Sequence, residues 1–178
     1  MAKKRAKTRV GKRKSALDAG LLVSDRVQLN DVRLISSGCE QTLQAVLGKK
    51  TYNINYSTQV QADKKNGYVI VIPKFHFEAF SGSKEQKPVI VIDASFVLSY
   101  KIDSFEGLTQ EAFEQFANFN GIYNAWPYWR EFVQNTVVRM GLPSLSIPVF
   151  RIVEPQKGKR VKKKVRSKRA KKATASRR

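Results

Sequence analysis

The chemistry open to this chain is bounded by its nucleophiles, bases and metal ligands, and these are few. His76 is the sole histidine, so neither a multi-imidazole metal site nor a serine triad with a histidine base can be assembled within one chain. Cys39 is the sole cysteine; without a second thiol it offers no internal disulfide and no thiolate metal site, a usage that fits a reducing compartment. Glu78 and Asp93 lie on apolar-alternating stretches and have no partner that would mark a general acid and base. The LGKKT run at 47–51 faintly suggests a phosphate loop, but that loop needs glycine five positions before Gly48, where Leu43 stands. Enzyme activity is not expected, and no cofactor or metal is implied.

What the sequence does concentrate is aromatic surface. The stretch NAWPYWREF, residues 124–132, sets two tryptophans, a tyrosine and a phenylalanine around Pro127 and follows them with Arg130 and Glu131. Trp129 and Phe132 begin a series with Val133, Thr136, Val137 and Met140 at the spacing of a buried helix face. Trp126 and Tyr128 fall off that stripe, and the strands add Phe75, Phe77, Phe80, Phe96 and Tyr100. A surplus of aromatics offers large contact area at low entropy cost, which suits a surface that holds apolar segments of another chain. Such rings also stack on single-stranded bases.

The second concentration is charge. The 178 residues carry 34 Lys and Arg against 14 Asp and Glu. Residues 1–14 hold eight of the cations and residues 155–178 hold thirteen, with no acid in either run. The stretch 15–154 between them has a net charge of −1. One near-neutral domain at 15–154 therefore carries two cationic tails, 1–14 and 155–178, whose composition is that of disordered segments. The N-terminal run has the charge of a signal sequence, but SALDAGLLVSD is broken by Asp18 and offers no cleavage site; secretion is not expected. No run of about 18 apolar residues suggests a membrane span, so a cytoplasmic protein is expected.

The elements that must position the aromatics follow from periodicity. Ser15–Asp25 reads as a short helix. Arg26–Ser36 reads as a strand whose two-residue period slips near Asp31, a bulge signature. Tyr52, Ile54, Tyr56 and Val60 alternate with polar residues, and DKKNG turns the chain into YVIVIPKFHFEAF. VIVIDASFVLSY is a third long strand run, with Ile90, Ile92, Phe96, Leu98 and Tyr100 on one face. Residues 27–102 thus suggest a four-stranded antiparallel meander. A helix capped by Thr109 is expected to stop at Asn120-Gly121, and a second to start with Pro127 in its first turn and end at Gly141 and Pro143. Strands first and helices after give the α+β class, with helices on one side of the sheet.

This arrangement resembles the SecB protein-export chaperones and the wider SecB-like group. The resemblance rests on an aromatic-Pro-Tyr-x-Arg-Glu motif, here Pro127, Tyr128, Arg130 and Glu131, followed by Leu-Pro-x-Leu-x-Ile-Pro-Val, here Pro143, Leu145, Pro148 and Val149. Asp31-Val32 also resembles the start of the family's first strand, and the likeness spans about residues 26–152. It implies an ATP-independent holdase that binds unfolded or newly made polypeptides along apolar grooves, assembled as a homo-oligomer, a dimer of dimers. Phe75, Phe77, Phe80, Phe96, Tyr100, Trp126 and Tyr128 are then the expected client-binding residues. It further implies SecA as a partner for exported clients, or an antitoxin as the client in some relatives. Of the acids with which SecB docks the zinc domain of SecA, only Asp31 is present; Ile35 and Ser99 stand at the later positions.

The tails are the other departure, since familiar members are acidic. Lys3, Lys4, Arg5, Lys12, Arg13 and Lys14 in one tail, and Lys159, Arg160, Lys162, Lys163, Lys164, Arg166, Lys168 and Arg169 in the other, are candidate polyanion-binding residues. Nucleic acid, the ribosome or an anionic membrane are the expected partners. A domain that itself stacked bases would interleave cations with its aromatics, and KFHFEAF supplies only Lys74.

Overall fold

The computed structural model describes residues 19–46, 50–81 and 87–151. Both cationic tails, and their candidate polyanion-binding residues, lie outside the described residues. Residues 19–24 form a helical segment, α1. Four strands follow, β1 (Val27–Gln41), β2 (Lys50–Asp63), β3 (Tyr68–Ser81) and β4 (Ile90–Ile102). All pair antiparallel, in the order β1-β4-β3-β2.

That order replaces the expected meander with a Greek key. β2, β3 and β4 are consecutive neighbours, while β1 lies beside β4, Val27 opposite Ile102 and Gln41 opposite Ile90. The link between Gln41 and Lys50 therefore joins opposite edges of the sheet. Three strand spacings amount to about 14 Å, well within the reach of eight residues. No local pattern distinguishes the two topologies, because both alternate identically along each strand. β1 does carry the bulge read near Asp31, between Leu29 and Asp31, and a second between Leu34 and Ser36. The DKKNG turn is held by Asp63, whose carboxylate accepts from the Asn66 backbone N–H at 3.1 Å and from its side-chain amide at 2.7 Å. Gly67 adopts φ 74°, the left-handed conformation that glycine tolerates best.

Strand parity builds the core. Odd residues of β3 and even residues of β4 point to one face, so Val69, Val71, Phe75, Phe77, Ile92, Phe96 and Leu98 are all buried there. The helices cover that face. α2 (Gln110–Phe116) is capped by the Thr109 hydroxyl, which accepts from the Ala112 N–H at 3.2 Å. It does not stop at Asn120-Gly121: Ala117–Gly121 forms a π turn with helical backbone, and α3 (Ile122–Arg139) continues directly. The apolar stripe slips here, since a regular helix would bury 119 and 120, whereas Gly121 and Ile122 are buried instead. One inserted residue rotates the following turns into register, and in sequence that slip looks like a helix end. Pro127 is accordingly an interior position, not the first turn. The N–H it lacks would have bonded the Tyr123 carbonyl, and Tyr123 is on the solvent side. α3 closes as expected at Gly141, φ 74°, with the Leu142 N–H reaching the Val137 carbonyl at 3.2 Å in a Schellman arrangement.

Candidate functional site

Phe75 is the hub of the aromatic system. It stacks on Trp129 with ring centres 5.1 Å apart and planes 9° apart, and meets Phe96 at 6.1 Å and Trp126 at 5.8 Å edge-on. Offset and edge-on pairs of this kind add about 0.5–1.5 kcal/mol each beyond their burial. From Trp126 the contacts run outward, to Phe150 at 5.2 Å and Tyr56 at 6.2 Å. Tyr56 and Phe150 touch at 5.9 Å. Tyr52 stacks over Phe77 at 5.6 Å. The ladder begins in the core and ends on β2, where Tyr56 is 48% exposed.

The two motifs that carried the family resemblance meet here. After α3 the chain runs as an extended segment, and two successive carbonyls of it need donors. The Arg130 Nε donates to the Ile147 carbonyl at 2.7 Å, and the Trp126 Nε1 to the Pro148 carbonyl at 2.8 Å. Residues 126 and 130 lie one helical turn apart on the same side, so the helix holds the segment by two adjacent rungs. Leu142 and Ile147 are buried beneath it. Pro143 and Pro148 are exposed, and Glu131 accepts a hydrogen bond from Asn135 along the helix.

The seven expected client-binding residues are not brought to one surface. Phe75, Phe77, Phe96 and Tyr100 are buried in the core, and Trp126, 8% exposed, is covered by the exit segment and not left off the stripe. The Tyr100 hydroxyl accepts from the Asn124 amide at 3.0 Å, and burial pushes its phenol up to about 12. Phe80 lies on the opposite face of the sheet, because its parity on β3 differs from that of Phe75 and Phe77; it stands opposite Thr51. Tyr128 alone of the seven is well exposed. The residues that do form the aromatic rim are Tyr52, Tyr56 and Phe150. The alternation of β2 was visible in sequence, but which residues its tyrosines meet depends on register with β3 and on the exit segment folding back.

The uncovered face of the sheet carries a different cluster. His76 stands opposite Asp93 in the β3–β4 register, with Nδ1 at 2.7 Å from its carboxylate, and Nε2 at 3.4 Å from Glu78. The hydrogen bond to Asp93 chiefly raises the His76 pKa above 6.5. A shallow concavity of about 470 Å³ crosses all four strands here, lined by Ser36, Asn55, Lys74, His76, Asp93 and Ser95 among others. The acids therefore have a partner that sequence reading did not supply. Asp31 pairs with Arg33 at 2.6 Å and stands opposite Ser99, so the positions read against SecA docking lie close together on β1 and β4. Among the described residues no group of His, Cys, Asp or Glu could hold a metal ion. No described helix is long and apolar enough to cross a membrane.

No protein-family model matches the chain, and no curated protein matches it. Among solved structures, a Mycobacterium tuberculosis SecB-like chaperone, in complex with a ChAD peptide from the HigA1 antitoxin, superposes with a TM-score of 0.68. It is 23% identical and the match covers 77% of this chain and 99% of that one. The chain has the SecB-like fold. A protein of unknown function from Streptococcus agalactiae matches at a TM-score of 0.37 and 10% identity, over 68% of this chain and 96% of that one, too loosely to carry an argument.

Proposed function

We propose that the protein is an ATP-independent holdase chaperone, a binder of unfolded or newly made polypeptides and not an enzyme. The observation that carries this reading is the aromatic ladder, which runs from the core to exposed rings on β2. Apolar side chains also stand exposed along β1, at Leu29, Leu34 and Ile35. Exposed apolar surface on two sheet edges marks an interaction surface. The SecB-like fold, found in a chaperone with an antitoxin peptide bound, supports the reading. An export client and an antitoxin are both polypeptides of the kind such a rim accepts. Homo-oligomer formation fits the same exposed edges, and a cytoplasmic setting fits the single cysteine.

The test is suppression of aggregation of a chemically unfolded protein on dilution. The full chain should protect, and the double variant Tyr52→Ser, Tyr56→Ser should protect several-fold less while remaining folded. Undiminished protection by the double variant would remove the rim from the account.

A second reading concerns the tails, because 21 cations flank a domain of net charge −1. We propose that they tether the chaperone to a polyanion, nucleic acid or the ribosome first and an anionic membrane second. Binding that neutralises several phosphates weakens steeply as salt rises, whereas protection by an apolar rim does not. Measured at low and high salt, the two activities should separate.

A further inference from the structure

The uncovered face of the sheet carries a charge pattern of its own. Glu78 on β3 and Glu40 on β1 both stand beside Val91 of β4, and in the next row Gly38, Asp93 and His76 run across the same three strands. Three carboxylates thus lie within two rows, against Lys74 one row further on and an imidazole that is charged only when protonated. Asp93 keeps 55% of its side chain in solvent. The concavity of about 470 Å³ beside them is lined by Ser36, Ser57, Ser95 and Asn55, whose side-chain oxygens accept from ammonium and guanidinium groups. Such a surface repels a polyanion, and its polar floor gives an apolar client little to bury against. A cationic segment is what it fits.

The chain itself supplies such a segment at the right place. Phe150 packs on Tyr56 with ring centres 5.9 Å apart, and Tyr56 also lines the concavity. The last described residue, Arg151, therefore stands beside β2, the edge strand, with the uncovered face on the other side of that strand. Residues 152–178 follow, with 13 Lys and Arg and one acid, Glu154. The first cation, Lys157, comes six residues after Arg151, a reach of about 20 Å when extended, while β2 and β4 lie two strand spacings, about 10 Å, apart. On this face β2 presents Asn53, Asn55, Ser57 and Gln59, so no cation there opposes the passage.

We infer that residues 155–178 dock on the uncovered face of their own sheet, passing round β2 and setting their cations against Asp93, Glu78 and Glu40. Exposed ion pairs are individually worth little, but covalent attachment keeps the segment at high local concentration, so several weak pairs suffice. The same weakness makes the segment easy to recruit. This rests on the polyanion reading of the tails and adds a competitor to it: nucleic acid or the ribosome draws the segment off the sheet, and the uncovered face is freed only when the chaperone is tethered.

His76 is the sole histidine, so its imidazole is a single reporter at the centre of this site in the full chain. NMR titration at low salt compares the parent with a variant carrying Lys159→Gln, Arg160→Gln, Lys162→Gln, Lys163→Gln and Lys164→Gln. A docked cation competes for Asp93, the group that chiefly raises the His76 pKa, so that pKa should be higher in the variant by about half a pH unit or more. Adding a single-stranded oligonucleotide should bring the parent up to the value of the variant. Carbodiimide coupling, mapped by mass spectrometry, should join tail lysines to Asp93, Glu78 or Glu40 within one chain. Identical titrations overturn the docking. So does coupling confined to Asp103, Glu106, Glu111 and Glu114, or coupling between isotopically distinct chains. Oligonucleotide binding, followed separately by anisotropy, decides the polyanion reading: its absence removes that reading, while its presence alongside identical titrations removes the docking alone.

Discussion

Gly121 sits where the π turn meets the sheet, and replacing it with alanine isolates that contact. A Cβ built there would lie 2.7 Å from the Val71 Cγ1, against an ordinary carbon contact of about 3.5–4.0 Å. Val71 is fully buried on β3 and, being β-branched, has little rotamer freedom with which to yield. Overpacking of this kind costs about 1–3 kcal/mol. Opposing it is the gain of about 0.5–1 kcal/mol that alanine normally brings over glycine inside a helix, and Gly121 has helical φ of −60°. Gly121→Ala should therefore destabilise by roughly 1–2 kcal/mol, lowering the melting temperature by several degrees at this chain length. Equilibrium denaturation followed by circular dichroism reads this directly. Val71→Ala alone leaves a cavity, at a cost on the order of 2 kcal/mol. In the double variant the introduced methyl occupies that space, so the two losses should fall short of additivity by about 1 kcal/mol. A Gly121→Ala protein as stable as the parent would refute close packing of the helix on β3.

Replacing Arg130 with leucine removes the donor to the Ile147 carbonyl and should cost about 1–3 kcal/mol as that carbonyl loses its partner; loosening of residues 142–150 should appear first in hydrogen exchange. For His76, whose pKa is raised when folded, the stabilising contact is fully present below the unfolded pKa of about 6.5 and is lost as pH rises through the elevated folded value. NMR titration should place the folded pKa above 6.5, and Asp93→Asn should bring it down; no change would remove Asp93 as the cause. The Tyr100 phenol should resist ionisation until about pH 12 in an ultraviolet titration, with Asn124→Ala moving it further up, since the amide favours the ionised form.

What could be read from the sequence was local. Thr109 as a cap, the bulge near Asp31, the Asn66-Gly67 turn and the shared face of Ile92, Phe96 and Leu98 all follow from neighbours a few residues apart. Strand order did not, because the placement of β1 beside β4 leaves no mark on its alternation. The helix continues through Asn120-Gly121 against the sequence expectation, because a glycine that permits close approach to Val71 reads the same as one that ends a helix. Which aromatics are exposed is not legible for a related reason. Phe75 and Trp126 are aromatic enough for a surface, but only the return of residues 147–150 over α3 decides that they are covered and that Tyr52 and Tyr56 are not. His76 and Asp93 face each other only through the β3–β4 register.

The placement of β1 also has a kinetic side. β2, β3 and β4 can zip through short hairpins, but Val27 must find Ile102 from 75 positions away in sequence, and such closures are slow and costly in entropy. β1 should dock last on folding and leave first under load. Its departure would uncover the rim of β4, with Ile92 and Leu98 near it, while the three-stranded remainder stayed paired. α1 leads directly into that strand, so tension applied through α1 is delivered to the element of the sheet that yields most readily.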